Sequence, residues 1–197
     1  ILLSWSLDCP VCKYEPSGIF FSADLHFFHK NILKYCPNRK FSTVEEMNEG
    51  IITAWNNKVP TTGTVYLLGD FAFCSLTKMG EIADRLNGTI HIIRGNHDAD
   101  FPKDKFASIS NYKEITVGGR HLILCHYPFL VWNRSHRESY NLHGHCHNTL
   151  AYDNTALRMD VGVDAHPKLE PFNMDEINAY MAKKQWKPLD HHNKETK

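Results

Sequence analysis

The 197-residue chain has no excess of either charge: 22 lysines and arginines stand against 22 aspartates and glutamates. With no long single-sign block either, it lacks the basic footprint of a dedicated nucleic-acid binder, which leaves room only for local patches. Long apolar runs are missing too. A membrane-spanning helix needs roughly 18 such residues, and even the run from His121 to Trp132 is broken by His126 and Pro128. Ile1 to Leu7 carry neither a basic n-region nor a small-residue cleavage pattern, so no signal peptide is expected and a cytoplasmic protein without a membrane partner is read.

Cysteine is sparse and unpaired in pattern. Six cysteines in a chain of this length do not make a disulfide scaffold, and a reducing compartment fits them best. Cys9 and Cys12 form one C-x-x-C, but a zinc site of that kind wants a second pair, and Cys36, Cys74, Cys125 and Cys146 stand singly. Internal repeats and low-complexity linkers are absent as well. One domain is therefore expected over residues 19–189, after an N-terminal extension (1–18) and before a disordered tail (190–197). Such a domain is large enough to bury a core without covalent staples.

What the chain does have in excess is histidine, 13 in all. Apolar, β-rich runs at Ile19 to Phe21, Val65 to Leu68, Thr89 to Ile93, His121 to Cys125, Tyr140 to Leu142 and Leu157 to Val163 read as strands. Helices are expected from Thr43 to Lys58, with Ser42 and Glu45 as a capping pair and Val44, Met47, Ile51 and Trp55 on one face, then from Leu76 to Leu86 and from Met174 to Lys183. Gly118-Gly119 signals a two-residue hairpin. The first half alternates strands with helices and the second reads as hairpin-rich. This mixed α/β pattern predicts two packed sheets with helices outside, not one doubly wound sheet.

The informative pattern lies immediately after each strand: Asp24-Leu25-His26, Gly69-Asp70, Gly95-Asn96-His97-Asp98, His126, and His143-Gly144-His145-Cys146-His147. Five apolar runs end in a carboxylate, an amide or an imidazole, and the C-terminal ends of strands in layered folds face a common crevice. Asp24 and His26 are two apart, as are His145 and His147, so in extended backbone each pair points to one side. These donors are too many for one four-coordinate ion. Two ions sharing a bridging carboxylate would use them all, and mixed nitrogen and oxygen ligands favour manganese, iron, zinc, cobalt or nickel.

In that order, D-x-H, G-D, G-N-H-D, a lone H and G-H-x-H resemble the calcineurin-like metallophosphoesterase superfamily. The opening Ala23 to Ile32 is similar to that of its small stand-alone bacterial and phage members. The resemblance spans roughly Ile19 to Ile177. It implies a two-sheet β-sandwich flanked by helices, and a phosphoesterase with two divalent ions, manganese foremost. Asp24, His26 and His147 would hold the first ion, Asp70 would bridge, and Asn96, His126 and His145 would hold the second. Two ions about 3.5 to 4 Å apart generate a hydroxide nucleophile and clamp phosphoryl oxygens, while His97 would be the general acid.

Many members continue G-D-x-x-D, but Phe73 stands where the second carboxylate falls, so the group that orients His97 is open. Asp98 is one candidate; its alternative task is fixing the loop or a metal-bound histidine. His29 and His143 flank the motifs, as site residues or as hydrogen-bonding support. The long connection Tyr127 to Tyr140 offers Arg134 and His136 as substrate contacts, or is merely a surface loop anchored by its aromatic residues. His91, His121 and His166 read as structural, and His191 and His192 as bystanders. The expected substrate is a phosphodiester or small nucleotide-like molecule. The competing readings are a nuclease of the same superfamily and a non-catalytic metal-binding scaffold.

Overall fold

The computed structural model of the protein describes residues 18–190. The Cys9/Cys12 pair, the expected N-terminal extension up to residue 17, and the tail from 191 onward with His191 and His192 lie outside the described residues. In chain order the strands are β1 (Ile19–Ser22), β2 (Thr64–Leu67), β3 (Thr89–Ile93), β4 (Ser108–Ser110), β5 (Lys113–Val117), β6 (Arg120–Leu124), β7 (Tyr140–His143), β8 (Arg158–Asp160) and β9 (Phe172–Asn173). The helices are α1 (Ile32–Tyr35), α2 (Val44–Lys58), α3 (Leu76–Ala83) and α4 (Met174–Met181). None of them is long and apolar enough to cross a membrane.

Two mixed sheets result, ordered β4-β3-β2-β1-β9 and β5-β6-β7-β8. Side chains alternate across a strand, and the first sheet uses both faces. Phe20, Val65, Leu67, Ile90 and Ile92 pack under α2 and α3 with Met47, Ile51, Trp55 and Ile82. Phe21, Leu68 and Ile93 turn the other way and meet Leu122, Leu124 and Leu142 of the second sheet, with Ile177 of α4 closing the same core. This is the two-sheet sandwich with outer helices that the sequence predicts.

Details differ. Helix α2 is capped one residue later than expected: Thr43 is extended, its hydroxyl accepts from the Glu46 N–H at 3.1 Å, and the Glu46 carboxylate accepts from the Ser42 N–H at 2.9 Å. The reciprocal capping box belongs instead to α4, between Asn173 and Glu176. The expected hairpin forms between Val117 and Arg120, with positive φ at Gly118 (55°) and Gly119 (78°), as a tight right-twisting turn requires. The rest of the second half is not hairpin-rich, because β6, β7 and β8 are parallel and joined by crossovers. The last expected strand shortens to β8: the Asp160 carboxylate accepts the Gly162 N–H at 2.8 Å and turns the chain into a 3-10 turn, Val163–Ala165.

Parallel order is what positions the site. Strands β1, β2 and β3 run the same way, so Asp24, Asp70 and Asn96 leave one edge. Strands β6 and β7 likewise deliver His126 and Gly144 together, joined by Gly144 N–H to His126 O at 2.9 Å.

Candidate metal centre

The strand-end loops are locked by backbone hydrogen bonds, Asp24 N–H to Gly69 O and His26 N–H to Asp70 O, both at 3.0 Å. Their conformation is unusual. Asp24 (φ 57°), His26 (51°), Asp70 (56°), His145 (70°) and His147 (46°) all occupy the left-handed region, which non-glycine residues rarely adopt and which is concentrated at functional sites. The extended pairing expected of Asp24 with His26 and of His145 with His147 is therefore replaced by tight turns, which curl the side chains around a point instead of lining a face. Glycine makes the closeness possible. A Cβ on Gly144 would stand 2.6 Å from Asp24 Oδ2, and one on Gly69 (φ 89°) 2.6 Å from His126 Nδ1.

Asp24, His26 and His147 present ligand atoms within 4.8 Å of one another. Among the described residues, both ring nitrogens of the buried His26 lack a hydrogen-bond partner, and its Nε2 lies 3.5 Å from Asp70 Oδ2. Burial, then the Arg39 charge, pushes the His26 pKa down to about 2, so the ring is neutral, the form that ligates metal. Burial raises the Asp24 carboxyl well above its ordinary range, a cost that a cation beside it would relieve. His147 Nδ1 lies 2.7 Å from Asp164 Oδ2 and 3.3 Å from Cys36 Sγ. The carboxylate accepts, so the proton belongs on Nδ1 and Nε2 is left as the donor atom. Burial alone would lower the His147 pKa, but the hydrogen bonds to Asp164 and Cys36 and the Asp24 charge lift it to about 10.

The second group is equally pointed. Asn96 Oδ1 lies 3.0 Å from His126 Nε2 and 2.9 Å from His145 Nδ1. His126 Nδ1 is 2.7 Å from Leu68 O and must carry the proton there, which leaves Nε2 a lone pair. With the amide oxygen turned toward the rings, acceptors converge on one point and a divalent cation satisfies them. Ligands about 2.1 Å from a metal and at right angles to each other stand about 3 Å apart. Asp70 lies between the groups: its Oδ2 is 3.5 Å from His26 Nε2 and 3.6 Å from His126 Nε2, and its Oδ1 accepts the His97 N–H at 3.0 Å. The donor set thus fits divalent metal ions in both groups.

Of the other expected residues, His97 is exposed beside the centre, with its ring 5.8 Å from that of His26 and 5.0 Å from that of Phe73. His29 stacks on Phe73 at 4.1 Å and lies 5.4 Å from His26. Asp98 does not grip the His97 ring. Its carboxylate accepts from the backbone N–H groups of Asp70 (2.8 Å), Gly95 (2.8 Å) and Phe71 (3.1 Å), fastening two loops together.

Buried His143 bonds Gly144 O through Nδ1 and reads as hydrogen-bonding support. Arg134 and His136 fall at the wrong end of the sheet. Parallel β6 and β7 force their connection back to the start of β7, where Glu138 O accepts from Arg120 at the beginning of β6. The first residue of that connection stays beside the candidate ligands, with the Tyr127 ring 4.8 Å from that of His145.

Sequence reasoning missed Asp164, Arg39 and the role of Cys36. Asp164 had a signal, since it follows the run Leu157 to Val163 as each recognised motif follows its strand; Arg39 had none.

The comparisons agree with this geometry. Residues 23–162 match the calcineurin-like phosphoesterase superfamily domain. An uncharacterized protein of Methanocaldococcus jannaschii is 40% identical over 131 residues, 66% of this chain and 69% of that one. The gene 66 protein of Mycobacterium phage L5 is 26% identical over 196 residues, 82% of this chain and 92% of that one. Among solved structures, a protein of unknown function from Aquifex aeolicus shares the fold, with a TM-score of 0.61 and 22% identity over 82% of this chain and 98% of that one. With its metal-fitting donors at the strand ends, the chain belongs to the calcineurin-like phosphoesterase superfamily and is a metal-dependent hydrolase of phosphoester bonds.

Proposed function

We propose that residues 19–189 form a dinuclear phosphodiesterase for small, nucleotide-like phosphodiesters, with His97 as general acid. One observation carries the reading: the Asp24, His26 and His147 group and the Asn96, His126 and His145 group face a shared Asp70 carboxylate. Two divalent ions, manganese first among the candidates, would supply Lewis acidity and an activated water for in-line displacement at phosphorus.

The chain's own residues do the rest. The Asp70 carboxylate pins the His97 backbone, and the exposed imidazole is free to deliver a proton to the departing oxygen. Phe73, in place of a second carboxylate, orients that ring by packing against it. Aromatic residues flank the opening: Phe73 stacked with His29 on one side, Tyr127 on the other, and exposed Tyr35 on the rim of a cavity of about 510 Å³ lined also by His145, His147 and Leu150. Such rings suit a planar base.

The test is hydrolysis by manganese-, nickel- and zinc-loaded protein of an aryl phosphodiester, the matching monoester and cyclic nucleotides. Diester turnover is expected to exceed monoester turnover. In His97→Ala, kcat should fall about 100- to 10,000-fold with both metals retained. Unchanged turnover in that variant refutes the acid, and a fully loaded protein that cleaves no ester refutes the function.

A further inference from the structure

The first metal group is joined to an ionic unit that the reaction does not itself use. Arg39 is buried, only 1% exposed, and its guanidinium makes a full set of contacts. Its Nη2 donates to Asp24 O at 2.6 Å and Nη1 to Leu25 O at 2.9 Å; Nε and Nη2 reach the two Asp164 oxygens at 2.7 Å each. Asp164 Oδ2 also accepts from His147 Nδ1 at 2.7 Å. One cation therefore touches the backbone turn that carries Asp24 and His26 and, through one carboxylate, the ring of His147.

These ligands come from segments more than 120 positions apart, and their backbones sit in the rarely populated left-handed region. The backbone ties the two segments together at His145, whose N–H donates to the Asp24 carboxylate at 2.9 Å, but it leaves the His147 ring to be set by its side-chain partners. A planar fork with five donors can bind two carbonyls and two carboxylate oxygens at once; a lysine ammonium cannot. A carboxylate behind a ligating imidazole fixes its tautomer and raises its basicity.

We propose that Arg39 and Asp164 are positioning residues for the first metal ion: a buried brace that sets the ring orientation of His147 relative to Asp24 and His26, with no direct part in the second ion's site. This rests on the dinuclear reading above.

The experiment is manganese and zinc titration of the full chain by calorimetry, with metal counts by mass spectrometry and thermal melts of the metal-free proteins. Asp164→Asn alone leaves a buried guanidinium unpaired and can fail to fold. The double variant Arg39→Gln/Asp164→Asn removes both charges while keeping polar groups in place, and Arg39→Lys keeps the charge but not the fork. In the folded double variant the first ion should bind about 10- to 100-fold more weakly and the second as in wild type, with Arg39→Lys intermediate. Two wild-type affinities in the folded variants overturn the brace, as does equal loss at both sites or a lowered apo melting temperature with unchanged metal affinity. A wild-type protein that takes up no metal overturns the dinuclear reading itself, a separate failure.

Discussion

Asp24 and His26 are sealed from solvent, whereas Asn96 and His145 reach it, and the contrast between these two halves of the centre continues outward. Behind the inner half lie a buried guanidinium, a carboxylate and a thiol. Behind the outer half, His126 is anchored to Leu68 O, while the side chains of Asn96 and His145 meet each other, the His126 ring and, for His145, the ring of Tyr127. The difference teaches a division of labour. Burial withholds water from Asp24 and His26 and makes any error in their placement costly. Exposure leaves the outer half open to an arriving phosphoester, next to His97.

The hardest blow to this contrast is Asp70→Asn, which removes a carboxylate that both halves face. Both ions should be lost from metal counts and turnover should drop to background. One ion retained at full affinity would mean that the halves are independent.

A more selective experiment separates them. His145→Ala should reduce the metal count from two to one, and graded chelation of wild-type protein should release the outer ion first. Release of the inner ion first would reverse the assignment.

The smallest expected effect is on the pH dependence of the metal-free fold. The folded-state pKa of His26, about 2, lies below its ordinary 6.5, so the unfolded chain binds more protons as the pH falls through 6.5 and stability drops on that side. At pH 5 the loss is about 2 kcal/mol. The folded-state pKa of His147, about 10, lies above 6.5, so its contribution is complete below pH 6.5 and fades as the pH rises toward 10. The raised Asp24 carboxyl also costs stability as the pH rises and offsets the His26 effect below pH 6.5, so thermal melts with chelator present should fall steadily on the alkaline side of pH 6.5, and the absence of that fall would remove His147 from the account. Loaded protein should lose the alkaline limb, since metal replaces the proton on His147.

The candidate ligands were legible because each stands immediately after an apolar run, and strand ends in a layered fold are a physical place as well as a sequence position. The sandwich was legible from the same runs. What escaped has physical reasons. Arg39 follows a four-residue helix too short for a periodic pattern, and its burial depends on partners 14 to 125 positions away. Asp98 was left open between orienting His97 and fixing the loop because adjacency in sequence says nothing about direction: its oxygens turn to the backbone N–H groups of Gly95 and of a neighbouring loop, which is the second of those tasks. Arg134 and His136 were misplaced because the sequence does not reveal whether β6 and β7 run parallel, and that alone decides which end of the sheet their connection reaches.

The left-handed backbone at five ligand positions has an evolutionary reading. Each such residue costs up to about 1 to 2 kcal/mol relative to a relaxed conformation, so the five together cost at most about 5 to 10 kcal/mol, within the roughly 5 to 15 kcal/mol by which an ordinary domain is stable. Aspartate and histidine tolerate positive φ better than most side chains, but selection for stability alone would drift these positions toward glycine, which adopts it without strain. That aspartate and histidine stand there instead marks a centre kept against the grain of its own fold, and a library screened only for thermal resistance would erase it first.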